Sequence, residues 1–301
     1  MGISVVINTR NAAETLSATL QSVSFADEII VCDMHSSDDT AEIAKKAGAV
    51  VLKTSEQGFV EPARNIAVAQ AKQAWILVVD ADEVIPKALA DLCRRIAQKE
   101  IGPEMEADCY YVARQNIFAD TWIEHAGWWP DYQMRFFKLG CVTWSEEIHS
   151  VPITRGIVKQ LPAQLKFAIE HHNYKNLEEF VSRMNRYSSI QATQDTTTVE
   201  PATILRTFKN ELLSRYFAQE GYKDKVLGLN LSILQATSDS LAKMKRVESM
   251  PQVVTQQSEK DLDSVWGDFA AEIHYWIATK KIQQSRGLAQ LYWRFRRKFL
   301  L

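Results

Sequence analysis

Asp80, Asp82 and Glu83 close an apolar run, Val78-Val79-Asp80-Ala81-Asp82-Glu83, and acidic side chains placed this way can do metal chemistry. Two carboxylates spaced i, i+2 just past a strand can approach one hard divalent cation, with phosphate oxygens of a ligand completing its shell. A carboxylate cluster without such a partner repels itself. The plainer alternative is that Asp82 and Glu83 only open the next helix, where the dipole favours anions. Thr9 and Asp33 occupy comparable places, each near the end of a short apolar run.

The elements that must carry these residues alternate over the first hundred positions. Ile3-Ser4-Val5-Val6-Ile7 reads as a strand, followed by a helix with Leu16, Leu20 and Val23 on one face. Glu28-Ile29-Ile30-Val31-Cys32 is a second strand ending at Asp33, and a helix runs from about Asp39 to a stop at Gly48. Ala49-Val50-Val51-Leu52 is a third strand, a helix begins near Pro62, and Trp75-Ile76-Leu77-Val78-Val79 is a fourth strand ending at Asp80. Continuous apolar strands separated by helices predict an α/β fold with a parallel sheet covered on both faces. Ligands bind outside the carboxyl ends of such strands, where Thr9, Asp33 and Asp80 all fall. From about 108 to 165 the pattern turns to short aromatic-rich strands, and from Asn176 onward it is helical. Asn176 with Glu179 resembles a capping box, and further helices are expected near 202–219 and 224–245.

Four segments in order, Ser4-Val5-Val6-Ile7-Asn8-Thr9-Arg10-Asn11, Asp33-Met34-His35-Ser36-Ser37-Asp38-Asp39-Thr40, Ala63-Arg64-Asn65 and Asp80-Ala81-Asp82, resemble the nucleotide-sugar half of family 2 glycosyltransferases. The usual pattern there reads VVIxTxN, VDxGSxDxT, RN and DxD. His35 stands where that family commonly has glycine. Farther on, Gly127-Trp128-Trp129-Pro130-Asp131-Tyr132-Gln133-Met134-Arg135-Phe136-Phe137, then Ile148-His149-Ser150 and His171-His172-Asn173-Tyr174, look like the bacterial branch that includes lipopolysaccharide core β-1,4-glucosyltransferases.

The resemblance implies a GT-A fold: a Rossmann-like, mostly parallel central sheet flanked by helices, followed by a helical C-terminal region. It implies inverting transfer of a hexose from a nucleotide-diphosphate sugar, UDP-glucose or a related UDP-sugar, to a cell-envelope glycan or glycolipid. By the same resemblance, Asp131 occupies the place of the acidic base, with Glu146 and Glu147 as substitutes, although Asp131 can also be a turn residue after Pro130. Thr9, Asp33 and Asp38 would grip uracil and ribose, and Arg64 would meet phosphates or base with its fork of donors. Mg²⁺ or Mn²⁺ would be held by Asp82 with Asp80, and His149 is a candidate third ligand. Arg135 would orient the base or meet an acceptor phosphate. Trp129, with Trp128 and Tyr132, would stack on a sugar ring or pack as ordinary core aromatics; His171 and His172 would pack or face the acceptor. Asp39 is assigned to helix capping.

The expected organisation is a catalytic domain over 1–170, with the nucleotide-sugar half at about 1–100 and the acceptor half at about 101–170. A helical region over 171–249, a Gln/Thr/Ser-rich linker over 250–259 and an amphipathic basic helix over 260–301 follow. In that last segment Glu272 is the final acidic residue, while basic and aromatic residues interleave, which suits the anionic interface of a bilayer or a solvated packing helix.

Among 301 residues, Lys+Arg 35 against Asp+Glu 37 gives a net charge of -2, which argues against phosphate neutralisation as the main binding mode and so against nucleic acid as partner. Hydrophobic residues at 46% exclude whole-chain disorder. Cys32, Cys93, Cys109 and Cys141 form no CxxC, signalling neither a zinc knuckle nor a disulfide framework. The N-terminal run lacks a basic leader, and no stretch reaches the roughly 18 apolar residues of a membrane span. A cytoplasmic protein at the inner face of the membrane is the expectation. A nucleotidyltransferase would need a glycine-rich loop after the first strand, and Asn8-Thr9-Arg10-Asn11-Ala12-Ala13 has none. A non-catalytic scaffold of the same fold remains the other alternative.

Overall fold

The computed structural model describes residues 1–54, 61–145, 152–194, 199–249 and 259–299. Two units make up the chain: Met1–Trp122 with Trp129–Asn173, and Ile123–Trp128 with Tyr174–Leu301.

The first unit opens with β1 (Ile3–Thr9), α1 (Leu16–Ser22), β2 (Glu28–Asp33), α2 (Thr40–Lys46), β3 (Val50–Lys53), α3 (Glu61–Val68) and β4 (Trp75–Asp80). It continues through β5 (Glu83–Val84), α4 (Lys87–Ala97), β6 (Cys109–Phe118), β7 (Thr121–Trp122), β8 (Asp131–Lys138), β9 (Val142–Thr143), β10 (Ile153–Thr154), β11 (Val158–Gln160) and β12 (Ile169–Tyr174). The main sheet runs β3-β2-β1-β4-β8-β6-β12-β5, with β7 and β11 pairing with β6, while β9 and β10 pair separately. The β3-β2-β1-β4 block is parallel, as the apolar runs predict, and β8 and β6 extend it antiparallel.

All seven residues of β1 are buried because the sheet is covered on both sides. Val5, Ile7, Leu77 and Val79 pack with Leu16, Leu20 and Leu89, while Val6, Ile30, Ile76 and Val78 pack with Ala63, Ala67 and Trp144. Trp75 stacks on Phe136 at 4.7 Å, joining the parallel block to β8. Gly48, with φ +81°, ends α2 in the left-handed conformation expected of a helix stop.

His35 also has a positive φ, +57°. The turn after β2 therefore keeps a left-handed residue at the position where the resembled family commonly has glycine. Replacing His35 with glycine is expected to stabilise the fold by about 0.5–1 kcal/mol, the left-handed penalty less glycine's extra entropy. Urea unfolding checks this, and an unchanged or lowered midpoint refutes it.

The second unit contains α5 (Leu177–Gln194), α6 (Pro201–Leu213), α7 (Lys225–Ser249), α8 (Glu259–Gln284) and α9 (Gly287–Phe299). The Asn176 side chain accepts from the Glu179 N–H at 2.9 Å, and Glu179 in turn accepts from the Lys175 N–H, so the capping box forms one residue early on its return arm. The helix expected over 202–219 ends at Leu213 and passes into a π-helical turn, Ser214–Ala218. The single C-terminal helix of the sequence reading is two, α8 and α9, with Gly287 at φ +59° marking the break. Residues 250–258 of the expected linker lie outside the described residues. Among the described residues, no helix is long and apolar enough to cross a membrane.

Candidate active site

β4 brings Asp80 to the carboxyl edge of the parallel block, register-paired with Asn8 at the end of β1. A half-buried carboxylate there calls for counter-charge. Its Oδ1 accepts from Arg64 at 2.8 Å, and its Oδ2 accepts from Arg135. Arg135 also donates to Glu83 Oε1 at 2.6 Å, while Glu83 Oε2 accepts the Asp80 backbone N–H at 2.8 Å. Arg114 lies 3.5 Å from Glu83 and 2.6 Å from Asp131. Arg64, Arg114 and Arg135 thus balance Asp80, Glu83 and Asp131 in one network.

Burial raises the Asp80 pKa, but the Arg135 and Arg64 charges outweigh it and hold this carboxyl well below the usual range. Glu83, fully buried, is instead pushed up by that burial. Burial opposes the charge on Arg135, yet Asp80 and Glu83 prevail and raise its pKa.

This arrangement sets two of the expected site residues among charged partners. Asp80, expected to share a cation with Asp82, has both oxygens engaged by guanidinium groups. Arg135, expected to orient Asp131 or meet a phosphate, is 2% exposed and spans Asp80 and Glu83. A bulge is the reason: Tyr110 pairs with Phe136 and Tyr111 with Met134, which leaves Arg135 as the extra residue of β8.

Asp131 is the first residue of β8 and pairs in register with Arg114 of β6. Its Oδ2 accepts from Arg114 Nε at 2.8 Å and from Asn116 Nδ2 at 3.1 Å, and its Oδ1 accepts from Gln133 at 2.8 Å. Burial raises its pKa, but the Arg114 charge and these donors more than offset that and leave it below the ordinary aspartate value. A group held this way is an ionised carboxylate at neutral pH.

Asn116 continues the chain of contacts. Its Oδ1 lies 2.7 Å from His171 Nδ1, and its amide nitrogen donates to Asp131, so Nδ1 of His171 is the donor in this pair. That Nε2 is 3.7 Å from Asp82 Oδ1. The strand pair β12–β5 creates the meeting by setting His171 opposite Glu83, with the His172 N–H donating to the Asp82 carbonyl.

Asn8 and Thr9 end β1 with buried side-chain polar atoms that have no hydrogen-bond partner among the described residues. Asp33 is buried beside them in the β1–β2 register and accepts the Ser36 N–H. Asp38 is tied into the loops: it accepts from Thr40 N–H and hydroxyl and from the Ala13 N–H. Asp39, at the N-cap of α2, makes no side-chain capping bond, so Asp38 does the work assigned to its neighbour. Arg64 lies over the Trp144 ring at 5.9 Å.

Trp129 meets Trp122 edge-on at 5.6 Å, Trp128 belongs to the second unit, and the Tyr132 hydroxyl donates to the Leu161 carbonyl. Glu146, Glu147 and His149 lie outside the described residues. Among the described residues, no group of three or more His, Cys, Asp or Glu is placed to hold a metal. Sequence reasoning missed Asn8, Arg114, Asn116 and Gln133 as members of this cluster. Only the period-two spacing of Arg114 with Asn116 and of Asp131 with Gln133 hinted at shared strand faces.

Comparison with known proteins bears on this cluster. The chain is 39% identical over 90 residues to an uncharacterized glycosyltransferase of Rickettsia felis, covering 30% of this chain and 31% of that protein. It is 42% identical over 100 residues to a TPR repeat-containing protein of Synechococcus elongatus, covering 33% of this chain and 25% of the relative. The matches thus span between a quarter and a third of those relatives' length. Among solved structures, S. aureus TarS 1-349 aligns at 17% identity and a TM-score of 0.42, over 99% of this chain and 88% of that one. Glucosyl-3-phosphoglycerate synthase from Mycobacterium tuberculosis aligns at 21% identity and a TM-score of 0.28, over 39% of this chain and 44% of that one. The model of the family described as Glycosyl transferase family 2 matches residues 4–159, more than half the chain and every residue of the cluster but His171, and the protein belongs to that family.

Proposed function

We propose that this glycosyltransferase moves a hexose from a UDP-sugar, UDP-glucose or a close relative, to a hydroxyl of a cell-envelope glycan such as lipopolysaccharide core, by direct displacement with inversion. One observation carries the reading: Asp131, an ionised carboxylate, is joined through Asn116 and His171 to Asp82 at the carboxyl edge of the sheet. A displacement needs a proton acceptor on the incoming hydroxyl and positive charge on the departing diphosphate, and this chain of contacts puts groups suited to both in one cluster.

In this reading Asp131 takes the acceptor's proton on Oδ1, the oxygen that carries fewer donors. Its low basicity suits a late transfer, when the attacking hydroxyl has already turned acidic. Asn8 and Thr9 meet the donor with their unpartnered polar atoms, and Asp33 sits beside them for the ribose. Arg64 exchanges one bond to Asp80 for a diphosphate oxygen. Asp38 shapes the loop that receives the nucleotide.

The donor set also fits a divalent cation. Asp82 has a carboxylate oxygen 3.7 Å from the ring nitrogen Nε2 of His171, and hard cations accept such sparse protein ligation when phosphates complete the shell. Asp82 and His171 would hold Mg²⁺ or Mn²⁺, which supplies charge to the leaving diphosphate.

Asp82→Ala is expected to abolish metal-dependent transfer from UDP-sugars and to weaken Mn²⁺ binding, read by Mn²⁺ electron paramagnetic resonance, with the thermal midpoint unchanged. A panel of nucleotide sugars in a thermal-shift assay then identifies the donor, since a ligand stabilises the state it binds. Full turnover in the Asp82→Ala protein would remove the assignment.

A further inference from the structure

We infer that α9 is an interfacial helix that seats this protein on an anionic lipid surface. Leu288, Leu291, Tyr292, Phe295 and Phe299 are 85%, 57%, 53%, 59% and 58% exposed, and α9 has no buried residue. At about 100° per residue these five fall within a stripe about 100° wide, the arc that an amphipathic helix normally turns toward a core. Here it faces outward.

The opposite face explains why. Gln290 donates to the Ile282 carbonyl of α8, and Arg297 lies over the Tyr275 ring at 5.5 Å and reaches the Thr279 hydroxyl. Trp293, on that same side of α9, is half-buried. The hairpin thus uses the polar back of α9 for docking on α8 and leaves the apolar stripe without cover. Trp276 of α8 stacks on Phe217 inside the unit.

Charge selects the partner. On the same projection Arg296 and Lys298 lie about 80° to either side of the stripe's centre, one along each edge, and Arg294 lies farther round. No acidic residue follows Glu272 in the chain. Long cationic side chains beside a buried apolar stripe can extend to lipid headgroups while their stems stay among acyl chains. Anionic headgroups satisfy these charges; a second copy of the same helix would set like charges against each other.

The test uses the full chain with sedimenting vesicles of phosphatidylcholine, with and without phosphatidylglycerol. The protein is expected to pellet with the anionic vesicles and to be released by high salt. Changing Arg296 and Lys298 together to glutamine should weaken partitioning by about 25-fold, from about fivefold for each cation. Leu291→Glu with Phe295→Glu should abolish it. All four side chains are exposed or half-buried, so circular dichroism and thermal midpoint should not move. Wild-type protein left in the supernatant, or a charged-stripe variant that still pellets, would overturn the inference. So would a wild-type dimer that the Leu291→Glu, Phe295→Glu variant splits without any vesicle binding, because the stripe would then be a self-association face.

Discussion

Asp131→Asn is expected to lower kcat for sugar transfer by about 10²–10⁴-fold while UDP-sugar affinity, measured by calorimetry, stays near that of the wild type. Asparagine keeps the shape of the side chain and an oxygen for Arg114, but cannot take a proton at neutral pH. The donor site proposed at Asn8, Thr9 and Arg64 does not include Asp131, so ground-state binding should be spared. Near-normal turnover would shift the base role to Glu146 or Glu147.

A pH profile separates this role from a merely structural one. The reacting form is the carboxylate, and Arg114, Asn116 and Gln133 hold its pKa below the ordinary value against the opposing effect of burial. Activity should therefore persist as pH falls until that depressed pKa is reached. Arg114→Met removes the counter-charge, so the acid limb of kcat/KM should move to higher pH. An unmoved limb would mean that Asp131 is not the titrating base.

Arg135→Met is expected to destabilise the fold by about 3–5 kcal/mol, measured by urea unfolding at neutral pH. The guanidinium bridges Asp80 and the fully buried Glu83, and its loss strands two acidic groups in a poorly solvated place. Glu83, already pushed up by burial, should protonate in part and limit the damage. Adding Glu83→Gln to Arg135→Met should therefore recover part of the loss, a coupling that a double-mutant cycle reads directly. A cost under about 1 kcal/mol for the single variant would show the network to be dispensable to stability.

The network also has a sign in pH. Asp80 and Asp131 titrate lower in the folded protein than in the unfolded chain. Their contribution to stability is complete above the ordinary aspartate range and fades as pH falls toward the folded values.

Much of the first unit is legible along the chain. Val5, Val6 and Ile7, or Ile76 to Val79, are apolar without alternation because both faces of those strands are covered, and a strand's composition reports this locally. Thr9, Asp33 and Asp80 follow the same logic: a polar residue at the end of such a run marks where the chain leaves the core. The order of motifs then points to the family without any contact being known.

The partnerships within the cluster are a different matter. Arg114 and Asn116 belong to Asp131 because β6 and β8 pair in one register, and a shift of one residue would turn them to the other face. Arg135 bridges Asp80 and Glu83 from a bulge in β8, which no local pattern announces. His171 meets Asp82 because β12 returns to pair with β5 across a long stretch of chain, a contact fixed by sheet closure rather than by spacing. In α9 the amphipathic pattern was plain, yet which face is covered depends on the turn before Gly287 and on how α8 receives it. By itself, then, the sequence determined what each residue can do and which strand ends collect, since burial and helix or strand period act over a few neighbours. Tertiary structure alone decided which charges share a partner and which apolar face is left open, since pairing register and docking are set by groups far apart in the chain.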